Sequence, residues 1–167
     1  MKTLIDLFNL GMMRNYSEIL QSKEGLVLNL GAGNKHIDGA VPLDLAMGWD
    51  ANTMSIPAED NSVDMIHCYH LLEHVENILF LMTEIRRVLK PGGHINIVVP
   101  YYNSHMQASD ITHCNVFTER TFEKLYTYTY YKTKKLEPMD IVTNFIMGDC
   151  EQNLALMIQL RKPLSEK

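Results

Sequence analysis

Two residues in a polar stretch of the chain have the types and spacing that acid–base chemistry uses. Asp110 and His113 lie three positions apart, and a carboxylate beside a histidine fixes its tautomer and raises its basicity. The pair could therefore act as a general base, with His105 as a second candidate. It could equally be a hydrogen bond that stabilises a loop, and the sequence leaves both interpretations open.

Two further histidines, His70 and His74, lie four positions apart at the predicted start of a helix, a spacing that metal sites use. The sequence fixes no third ligand, so we predict no metal site here. The chain has three cysteines, Cys68, Cys114 and Cys150. They are widely separated and odd in number, which argues against a Cys-x-x-Cys metal site and against a disulfide framework. We expect reduced thiols.

A glycine turn, Gly31-Ala32-Gly33, follows the apolar run Leu26–Leu30. Such a run is typical of a strand that is buried on both faces of a parallel sheet. Glycines permit positive φ angles and let a ligand lie against the main chain, whose N–H groups can bind a carboxylate or a phosphate. The combination indicates a nucleotide-cofactor site, and a tight turn after a core strand is the alternative.

The elements that must position these residues alternate short strands with a few helices. In chain order the pattern predicts one or two helices within residues 3–21, strands at Leu26–Leu30 and Val41–Leu45, a possible edge strand at Asp50–Met54, a strand at Val63–Tyr69, a helix at Leu71–Leu89, a strand at His94–Val99, a polar loop at Tyr101–Asn115, a helix at Glu119–Tyr126 after the cap Thr118, and an antiparallel hairpin of Ile141–Met147 and Leu154–Leu160 joined through Gly148-Asp149. Only short segments separate the first three strands, so we expect reduced crossover helices there.

The fold class that follows is α/β, with a compact, Rossmann-like, mostly parallel sheet that ends in the antiparallel hairpin. The chain has 167 residues, 46% of them hydrophobic, which fits one domain. Within this single domain, 1–167, we expect an N-terminal helical cover at 1–24, a cofactor-binding core at 26–100, a substrate loop with a short helix at 101–131, and the closing hairpin at 136–162. Open sheets of this kind bind ligands beyond the carboxyl ends of their strands.

Charge and hydropathy argue against several classes of partner. Fifteen basic residues against 20 acidic ones give a net charge of −5, the wrong sign for a protein that holds nucleic acid through its phosphates. The one dense basic cluster, Lys132, Lys134 and Lys135, is typical of a solvated turn. No apolar run approaches the roughly 18 residues of a membrane span, and we expect no signal peptide. We expect a cytoplasmic protein with no membrane partner, and a second copy could cover an open sheet edge in a homo-oligomer.

Six motifs stand in a definite order along the chain. They are Asn29-Leu30-Gly31-Ala32-Gly33, Pro42-Leu43-Asp44, Ile56-Pro57, Asp60-Asn61-Ser62-Val63-Asp64, Leu72-Glu73-His74-Val75 and Arg87-Val88-Leu89-Lys90-Pro91-Gly92-Gly93. In this order they resemble the small class I S-adenosylmethionine-dependent methyltransferases of the type 11 kind. The run from Glu84 to Gly93 is the most specific piece. The resemblance covers about half of the chain and places His74 in a structural Leu-Glu-His segment.

The resemblance implies that the chain binds S-adenosylmethionine and releases S-adenosylhomocysteine. The cofactor-binding residues would be Gly31, Ala32, Gly33, Asp44, Leu45, Asn29, Asn52, Thr53, Tyr69 and His70. Asp44 would accept hydrogen bonds from both ribose hydroxyls, unless it is a plain solvent-facing aspartate. Tyr69 and His70 would line the methyl donor, because an aromatic face suits a sulfonium cation. Tyr69 could instead pack beneath the next helix.

The chain departs from the family pattern in its polar cofactor contacts. Asn29 stands where the family usually has an acidic residue, and Lys35 stands where it has a third glycine. Asn29 would accept a hydrogen bond from the cofactor's amino group, more weakly than a carboxylate would. Asn52, followed by Thr53, would accept from the adenine amino group, and Asp50 is its rival for that role.

The reaction implied is an in-line displacement, in which a nucleophile of the acceptor attacks the sulfonium methyl group. The donor is already activated, so the protein mainly aligns the two partners and, where needed, takes a proton. Tyr101, Tyr102 and His105 would form the acceptor pocket. His113 with Asp110, or His105, would be the base for an oxygen or nitrogen acceptor. The segment Cys68-Tyr69-His70-Leu71 lacks the Asn/Asp-Pro-Pro-aromatic motif of adenine and amide methylating enzymes. This absence, with the acidic net charge, favours a small-molecule acceptor over DNA and leaves a protein or a modified nucleotide as alternatives.

Two rival functions compete with this interpretation. A nicotinamide oxidoreductase needs Gly-x-Gly-x-x-Gly, and here His36 occupies the third glycine position. The other rival is a non-catalytic protein of the same fold that acts as a cofactor sensor or a partner-binding subunit. The reduced crossover helices and Asn29 are the features that favour it.

Overall fold

The computed structural model describes residues 25–127, 136–148 and 154–164. Four features of the sequence analysis lie outside the described residues. They are the N-terminal helical cover, the cluster of Lys132, Lys134 and Lys135, the cysteine Cys150, and Asp149 in the hairpin turn.

Six strands form one sheet. They are β1 (Val27–Leu30), β2 (Ala40–Leu43), β3 (Val63–Tyr69), β4 (Leu89–Pro100), β5 (Asp140–Met147) and β6 (Ala155–Arg161). Their order across the sheet is β2-β1-β3-β4-β6-β5. β1 pairs in parallel with β2 and β3, β3 pairs in parallel with β4, and β6 pairs antiparallel with β4 and β5. The expected α/β class, with a mostly parallel sheet and a closing hairpin, is confirmed.

Three α-helices accompany the sheet in the described part of the chain. They are α1 (Ile78–Val88), α2 (His105–Ser109) and α3 (Thr121–Thr127), and single 3-10 turns lie at Leu45–Met47 and Leu72–His74. No α-helix connects β1 to β2 or β2 to β3, as the short connections predicted. None of the helices within the described ranges is long and apolar enough to cross a membrane.

The hydrophobic core lies between α1 and one face of the sheet. α1 buries Leu81, Ile85 and Val88, which lie on one face of the helix at the spacing i, i+4 and i+7. In β3 the alternate residues Ile66 and Cys68 are fully buried. Met65, His67 and Tyr69 lie on the other face and are only half-buried, as the two-residue period of a strand requires.

The predicted edge strand at Asp50–Met54 is wrong, because this segment is a turn closed by its own first residue. The Asp50 carboxylate accepts hydrogen bonds from Asn52 N (2.9 Å) and Thr53 Oγ1 (2.9 Å), and Met54 N donates to the Asp50 carbonyl (2.9 Å). Aspartate often folds the following residues back in this way, at the expense of a strand.

The predicted helix at Leu71–Leu89 is broken into the 3-10 turn at Leu72–His74 and α1. Asn115, from a distant loop, donates its side-chain amide to the carbonyls of Leu72 (3.0 Å) and Val75 (2.6 Å). These carbonyls are therefore not free to continue a helix, and Val75 is extended. α1 starts afresh after Asn77, whose side chain accepts from Phe80 N (3.3 Å) and so caps the helix.

Several other boundaries differ from the predictions. β4 begins at Leu89 and not at His94, and β2 is Ala40–Leu43 and not Val41–Leu45. α3 begins at Thr121 rather than at Glu119, and Thr121 N donates to the Thr118 carbonyl at 3.0 Å. Thr118 therefore lies in the turn before the helix and is not its side-chain cap. The polar loop Tyr101–Asn115 contains the short helix α2, which Ser104 caps through its side chain.

The strand order reverses at β1, since β2 lies on one side of β1 and β3 on the other. Open α/β sheets bind ligands in the crevice at such a switch point, beyond the carboxyl ends of the strands. In this chain Gly31 follows β1, Asp44 follows β2 and His70 follows β3. The topology thus brings the three segments to one edge of the sheet.

Arg87 of α1 holds the loop that leads into β3. Its guanidinium donates to the Glu84 carboxylate (2.7 and 2.9 Å), to Asp60 (2.8 Å), and to the carbonyls of Ile56 and Ala58 (each 2.9 Å). Burial would raise the pKa of Glu84, but the hydrogen bonds and charge of Arg87 lower it overall. This network joins α1 to residues that are distant along the chain, and so it fixes the helix against the loop.

We expect Arg87→Met to lower the free energy of unfolding by about 2 to 3 kcal/mol, because it strands a largely buried carboxylate and two loop carbonyls. Urea denaturation at pH 7 measures this. The matched control is Arg120→Met, since Arg120 is 73% exposed and stands 4.0 Å from Glu123; it should change stability by less than about 0.5 kcal/mol.

The same network predicts a pH dependence. The folded-state pKa of Glu84 is lowered, so its stabilisation is present above the ordinary glutamate pKa and is lost as the pH falls through the folded value. The difference between wild type and Arg87→Met should therefore shrink in acid. A difference that stays constant from pH 7 to pH 3 would contradict the role given to this pair.

Candidate active site

The glycine turn after β1 has one closed side and one open side. Gly31 has a φ of +66°, and a Cβ atom there would stand 2.8 Å from Leu71 Cβ. Its N–H donates to the Leu43 carbonyl (2.8 Å), which ties the turn to β2. Gly33 also has a positive φ, of +49°, but a Cβ atom there would meet nothing within 4 Å. Packing therefore demands glycine at position 31, whereas position 33 borders open space.

Asp44 joins the glycine turn to the 3-10 turn at Leu45–Met47. Its Oδ2 accepts from Gly33 N (2.8 Å) and its Oδ1 accepts from Ala46 N (2.9 Å). Each carboxylate oxygen has more than one lone pair, and the side chain is only partly buried. Both oxygens can therefore accept a second hydrogen bond from a ligand. Leu45, 73% exposed beside it, adds an apolar surface.

Asn29 closes the far end of the glycine loop. It is 4% exposed in the middle of β1, and its Nδ2 donates to the Lys35 carbonyl at 3.2 Å. The side chain thus stabilises the loop that would bind the cofactor. Its predicted role as an acceptor for the cofactor's amino group stays a prediction.

The residues predicted to reach the adenine are held within the loop after β2. Both Asp50 oxygens are engaged by Asn52 and Thr53, and these hydrogen bonds lower the pKa of Asp50. The Asn52 Oδ1 atom accepts from Asn77 N (3.2 Å), which fastens the loop to the start of α1. Contact of Asn52 or Thr53 with the adenine stays a prediction.

Two aromatic side chains lie together on the half-exposed face of β3. The Tyr69 hydroxyl and His67 Nδ1 are 2.8 Å apart, with ring centroids at 5.5 Å. Burial raises the pKa of Tyr69 and lowers the pKa of His67, so both are neutral near pH 7. His67 was not singled out by the sequence analysis. Its spacing of two from Tyr69 on a strand is the signal that places both on one face.

His70 turns the chain sharply where β3 ends. Its φ is +56°, a left-handed conformation that costs a residue with a side chain roughly 1 kcal/mol or more. His70 N donates to the Val98 carbonyl (2.8 Å), and Nδ1 lies 3.2 Å from Glu73 Oε1. The strained backbone directs the chain so that Leu71 packs against Gly31.

Glu73, His74 and His113 form a cluster next to this turn, here called the Glu–His–His cluster. One ligating atom from each of the three lies within 4.8 Å of the others, and the two imidazole rings meet edge to face at 4.7 Å. The loop that carries His113 is tied to the cluster, because Cys114 N (2.8 Å) and Asn115 N (3.2 Å) both donate to the Glu73 carbonyl. The sequence analysis missed Glu73, although it directly precedes His74.

Asp110 and His113 do not form the directly hydrogen-bonded pair that their spacing suggested. His113 Nε2 and Asp110 Oδ2 are 3.7 Å apart, while Asp110 Oδ1 accepts from Thr112 N (2.8 Å) and Thr112 Oγ1 (2.7 Å). The Thr112 hydrogen bonds lower the pKa of Asp110. A backbone carbonyl orients His113 instead, since its Nδ1 lies 3.2 Å from the Gln107 carbonyl oxygen.

The other predicted acceptor residues are spread along the same loop. Tyr101 is buried and donates its hydroxyl to Glu119 (2.8 Å); burial and Glu119 raise its pKa to about 12. Its hydroxyl is thus committed to a structural contact. Tyr102 is 51% exposed and packs edge to face on Tyr101. His105 is exposed as the first residue of α2.

Comparison with a protein-family model matches residues 34–97 to a methyltransferase domain. This match is shorter than half of the chain; it includes Asp44 and Glu73 and ends before the loop that carries His113. An uncharacterized protein of Methanocaldococcus jannaschii is 45% identical over 49 residues, which are 29% of this chain and 21% of that protein. The chain thus spans a minor part of that relative's length.

Solved structures with similar folds include methyltransferases and a complex with a methyltransferase activator, and also a [4+2]-cyclase. One is a S-adenosylmethionine-dependent methyltransferase from Aquifex aeolicus, 15% identical, with 93% of this chain and 92% of that chain covered at a TM-score of 0.56. Another is the Burkholderia thailandensis 1,6-didemethyltoxoflavin N1-methyltransferase with bound S-adenosylhomocysteine, 15% identical, with coverages of 95% and 85% at 0.56. A third is a chain of the Haloferax volcanii complex that contains the methyltransferase activator Trm112, 14% identical, with coverages of 94% and 92% at 0.58.

We expect Gly31→Ala to destabilise the protein by about 3 kcal/mol, because it combines left-handed strain with overpacking against Leu71. Gly33→Ala should cost only about 1 kcal/mol, since it adds the strain without the contact. Urea unfolding of the two variants measures the difference. Equal losses would contradict the close approach of the glycine turn to Leu71.

Proposed function

We propose that this chain, which has the fold of the class I S-adenosylmethionine-dependent methyltransferases that its motifs resemble, transfers the methyl group of S-adenosylmethionine to an oxygen or nitrogen atom of a small-molecule acceptor. The observation that carries the proposal is an open glycine turn beside a strand-end aspartate at the switch point of the sheet. The reaction releases S-adenosylhomocysteine. The class of acceptor rests on the net charge of −5 and on the motifs of the sequence.

The cofactor side of the proposal rests on three neighbouring features. Gly33 leaves space against its backbone, where the methionine part of the cofactor lies against the main chain. Both Asp44 oxygens have a remaining lone pair for the two ribose hydroxyls. The exposed side chain of Leu45 offers an apolar surface to the adenine ring. Asp44 accepts a hydrogen bond directly from the Gly33 amide, so these features line the same crevice.

The acceptor side rests on the Glu–His–His cluster and the loop that carries it. His113 Nδ1 must donate to the Gln107 carbonyl, because a carbonyl oxygen only accepts. The Nε2 atom of the neutral ring therefore has the free lone pair, and it can take the proton of an oxygen or nitrogen acceptor. The side chain is only 7% exposed, so little water competes for that lone pair.

The test of the cofactor assignment is calorimetry with S-adenosylmethionine and S-adenosylhomocysteine. We expect Gly33→Ala to weaken binding by at least about tenfold, because a methyl group then occupies the space where the ligand meets the main chain. The matched control is Gly39→Ala, which has the same kind of positive φ (+79°) and the same open surroundings but precedes β2, at the other end of that strand. It should bind as the wild type does.

Two outcomes of this titration would count against the assignment. Wild-type protein that binds neither compound would overturn it, and so would equal affinities of Gly33→Ala and wild type. If both compounds bind but labelled methyl groups enter no component of a metabolite extract, the non-catalytic cofactor sensor replaces the enzyme.

We expect His113→Ala to lower turnover by about 100-fold or more, as the loss of a general base does, while the affinity for S-adenosylmethionine changes by less than about twofold. Steady-state kinetics and calorimetry on the same preparation separate the two quantities. His105→Ala is the companion variant, since His105 is the other candidate base. Parallel loss of turnover and cofactor affinity in His113→Ala would assign the loop a structural role only.

A further inference from the structure

One oxygen of the Glu73 carboxylate is buried without a hydrogen-bond partner. The residue is 1% exposed, and Oε2 has no partner among the residues that the structure describes. The other oxygen, Oε1, lies 3.2 Å from His70 Nδ1. A buried carboxylate oxygen without a donor is costly, and such groups are rare in folded proteins. A positively charged ligand that contacts Oε2 would remove this cost.

In each histidine of the Glu–His–His cluster, a hydrogen bond made by Nδ1 leaves the lone pair of Nε2 free. His113 Nδ1 donates a hydrogen bond to the Gln107 carbonyl, which leaves the lone pair of Nε2 free. Thr112 Oγ1 donates to Asp110 Oδ1 (2.7 Å), so it must accept from His74 Nδ1 (2.9 Å). That hydrogen bond leaves His74 Nε2 free as well. Outer hydrogen bonds of this kind fix the tautomer of histidines that bind metal ions.

The distances within the cluster suit a small cation. One ligating atom from each of Glu73, His74 and His113 lies within 4.8 Å of the others. Ligand atoms around a tetrahedral Zn²⁺ stand roughly 3.4 Å apart, given bonds of about 2.1 Å. Side-chain shifts of about 1 Å or more, on the scale of small rotamer adjustments, bring the three atoms to that spacing.

The backbone around the cluster is held from several sides. The Glu73 carbonyl accepts from Cys114 N and Asn115 N, and the Asn115 side chain binds the carbonyls of Leu72 and Val75. The segment with two of the ligands is therefore fastened to the loop with the third. Prearranged ligands are what a metal site needs, because binding then orders little of the chain.

The geometry points to a divalent transition-metal site, with Zn²⁺ as the best fit, that is formed by Glu73, His74 and His113. Two imidazole nitrogens and one carboxylate oxygen are a common set of three protein ligands for Zn²⁺, with a fourth position open to water or substrate. His70 is the residue that orients Glu73. The site needs the loop of residues 110–115 in its present place, since this loop supplies both His113 and Thr112, the hydrogen-bond partner of the His74 ring.

The site gives the proposed methyl transfer a specific acceptor chemistry, a consequence that rests on the proposed function. A metal ion with an open position lowers the pKa of a bound hydroxyl group. The acceptor atom would then be a hydroxyl oxygen that loses its proton to solvent water and forms a bond to the methyl carbon as the bond to the sulfonium sulfur breaks. His113 would act as a metal ligand in place of a free base.

The test is metal analysis of the full chain by elemental mass spectrometry, followed by calorimetric titration of the chelator-treated protein with ZnCl₂. We expect about one equivalent of Zn²⁺ per chain. His74→Ala and His113→Ala should each weaken Zn²⁺ binding by at least about 100-fold, and Glu73→Gln, which keeps the volume of the buried side chain, by about 10-fold or more. Circular dichroism checks that each variant is folded.

The matched control is His94→Ala. His94 lies in β4 and pairs with Met65 and Arg161, away from the carboxyl ends of the parallel strands. This variant should bind Zn²⁺ as the wild type does. Folded wild-type protein that binds no Zn²⁺ at micromolar concentration, or His74→Ala and His113→Ala variants that bind as tightly as the control, would overturn the metal site.

The same preparations separate this inference from the proposed function. Calorimetry with S-adenosylhomocysteine in the presence of EDTA reports the cofactor site without the metal. Zn²⁺ binding without binding of S-adenosylhomocysteine would leave the metal site in place and remove the methyltransferase. Binding of S-adenosylhomocysteine without binding of Zn²⁺ would leave the proposed methyltransferase in place and remove the metal site. His113 would then remain the candidate base.

Discussion

The two hydrogen bonds accepted by Asp44 hold together the loops on which the cofactor crevice is built. One oxygen binds the Gly33 amide of the loop after β1, and the other binds the Ala46 amide of the turn after β2. With no crossover helix between β1 and β2, little else in the described residues fixes these loops to each other beyond the backbone bonds of Gly31 and Ala32 to the Leu43 carbonyl. The carboxylate that would bind the ribose thus also shapes the turn that would bind the methionine part.

The second half of the site depends on an equally local attachment. The carbonyls of Leu72, Glu73 and Val75 are all engaged by the segment Cys114-Asn115, which carries the loop with His113 to the carboxyl end of β3. The same bonds interrupt the helix that the hydrophobic pattern predicts. A break in a regular element and the position of a candidate catalytic residue therefore have one cause.

The sequence predicted the elements whose pattern is governed by burial. β3 runs from Val63 to Tyr69 as expected, and the hairpin and the reduced crossovers are also present, because alternation, chain length and loop length are local properties. Asp50–Met54 was misread, since a side-chain hydrogen bond of Asp50 determines that segment. The Glu–His–His cluster could not be predicted, because it joins residues about 40 positions apart through a loop with no regular pattern. Tyr101 was expected in a pocket, and only the structure places its hydroxyl on Glu119.

A crystal structure of the protein grown with S-adenosylhomocysteine tests the central claim most directly. The account predicts density for the ligand in the crevice at the carboxyl ends of β1 and β2, with its ribose hydroxyls within hydrogen-bond distance, about 2.5 to 3.0 Å, of the Asp44 oxygens. Its amino-acid part should lie against the backbone of Gly33. A structure in which the ligand binds elsewhere, or in which protein side chains fill the space beside Gly33, would contradict the account.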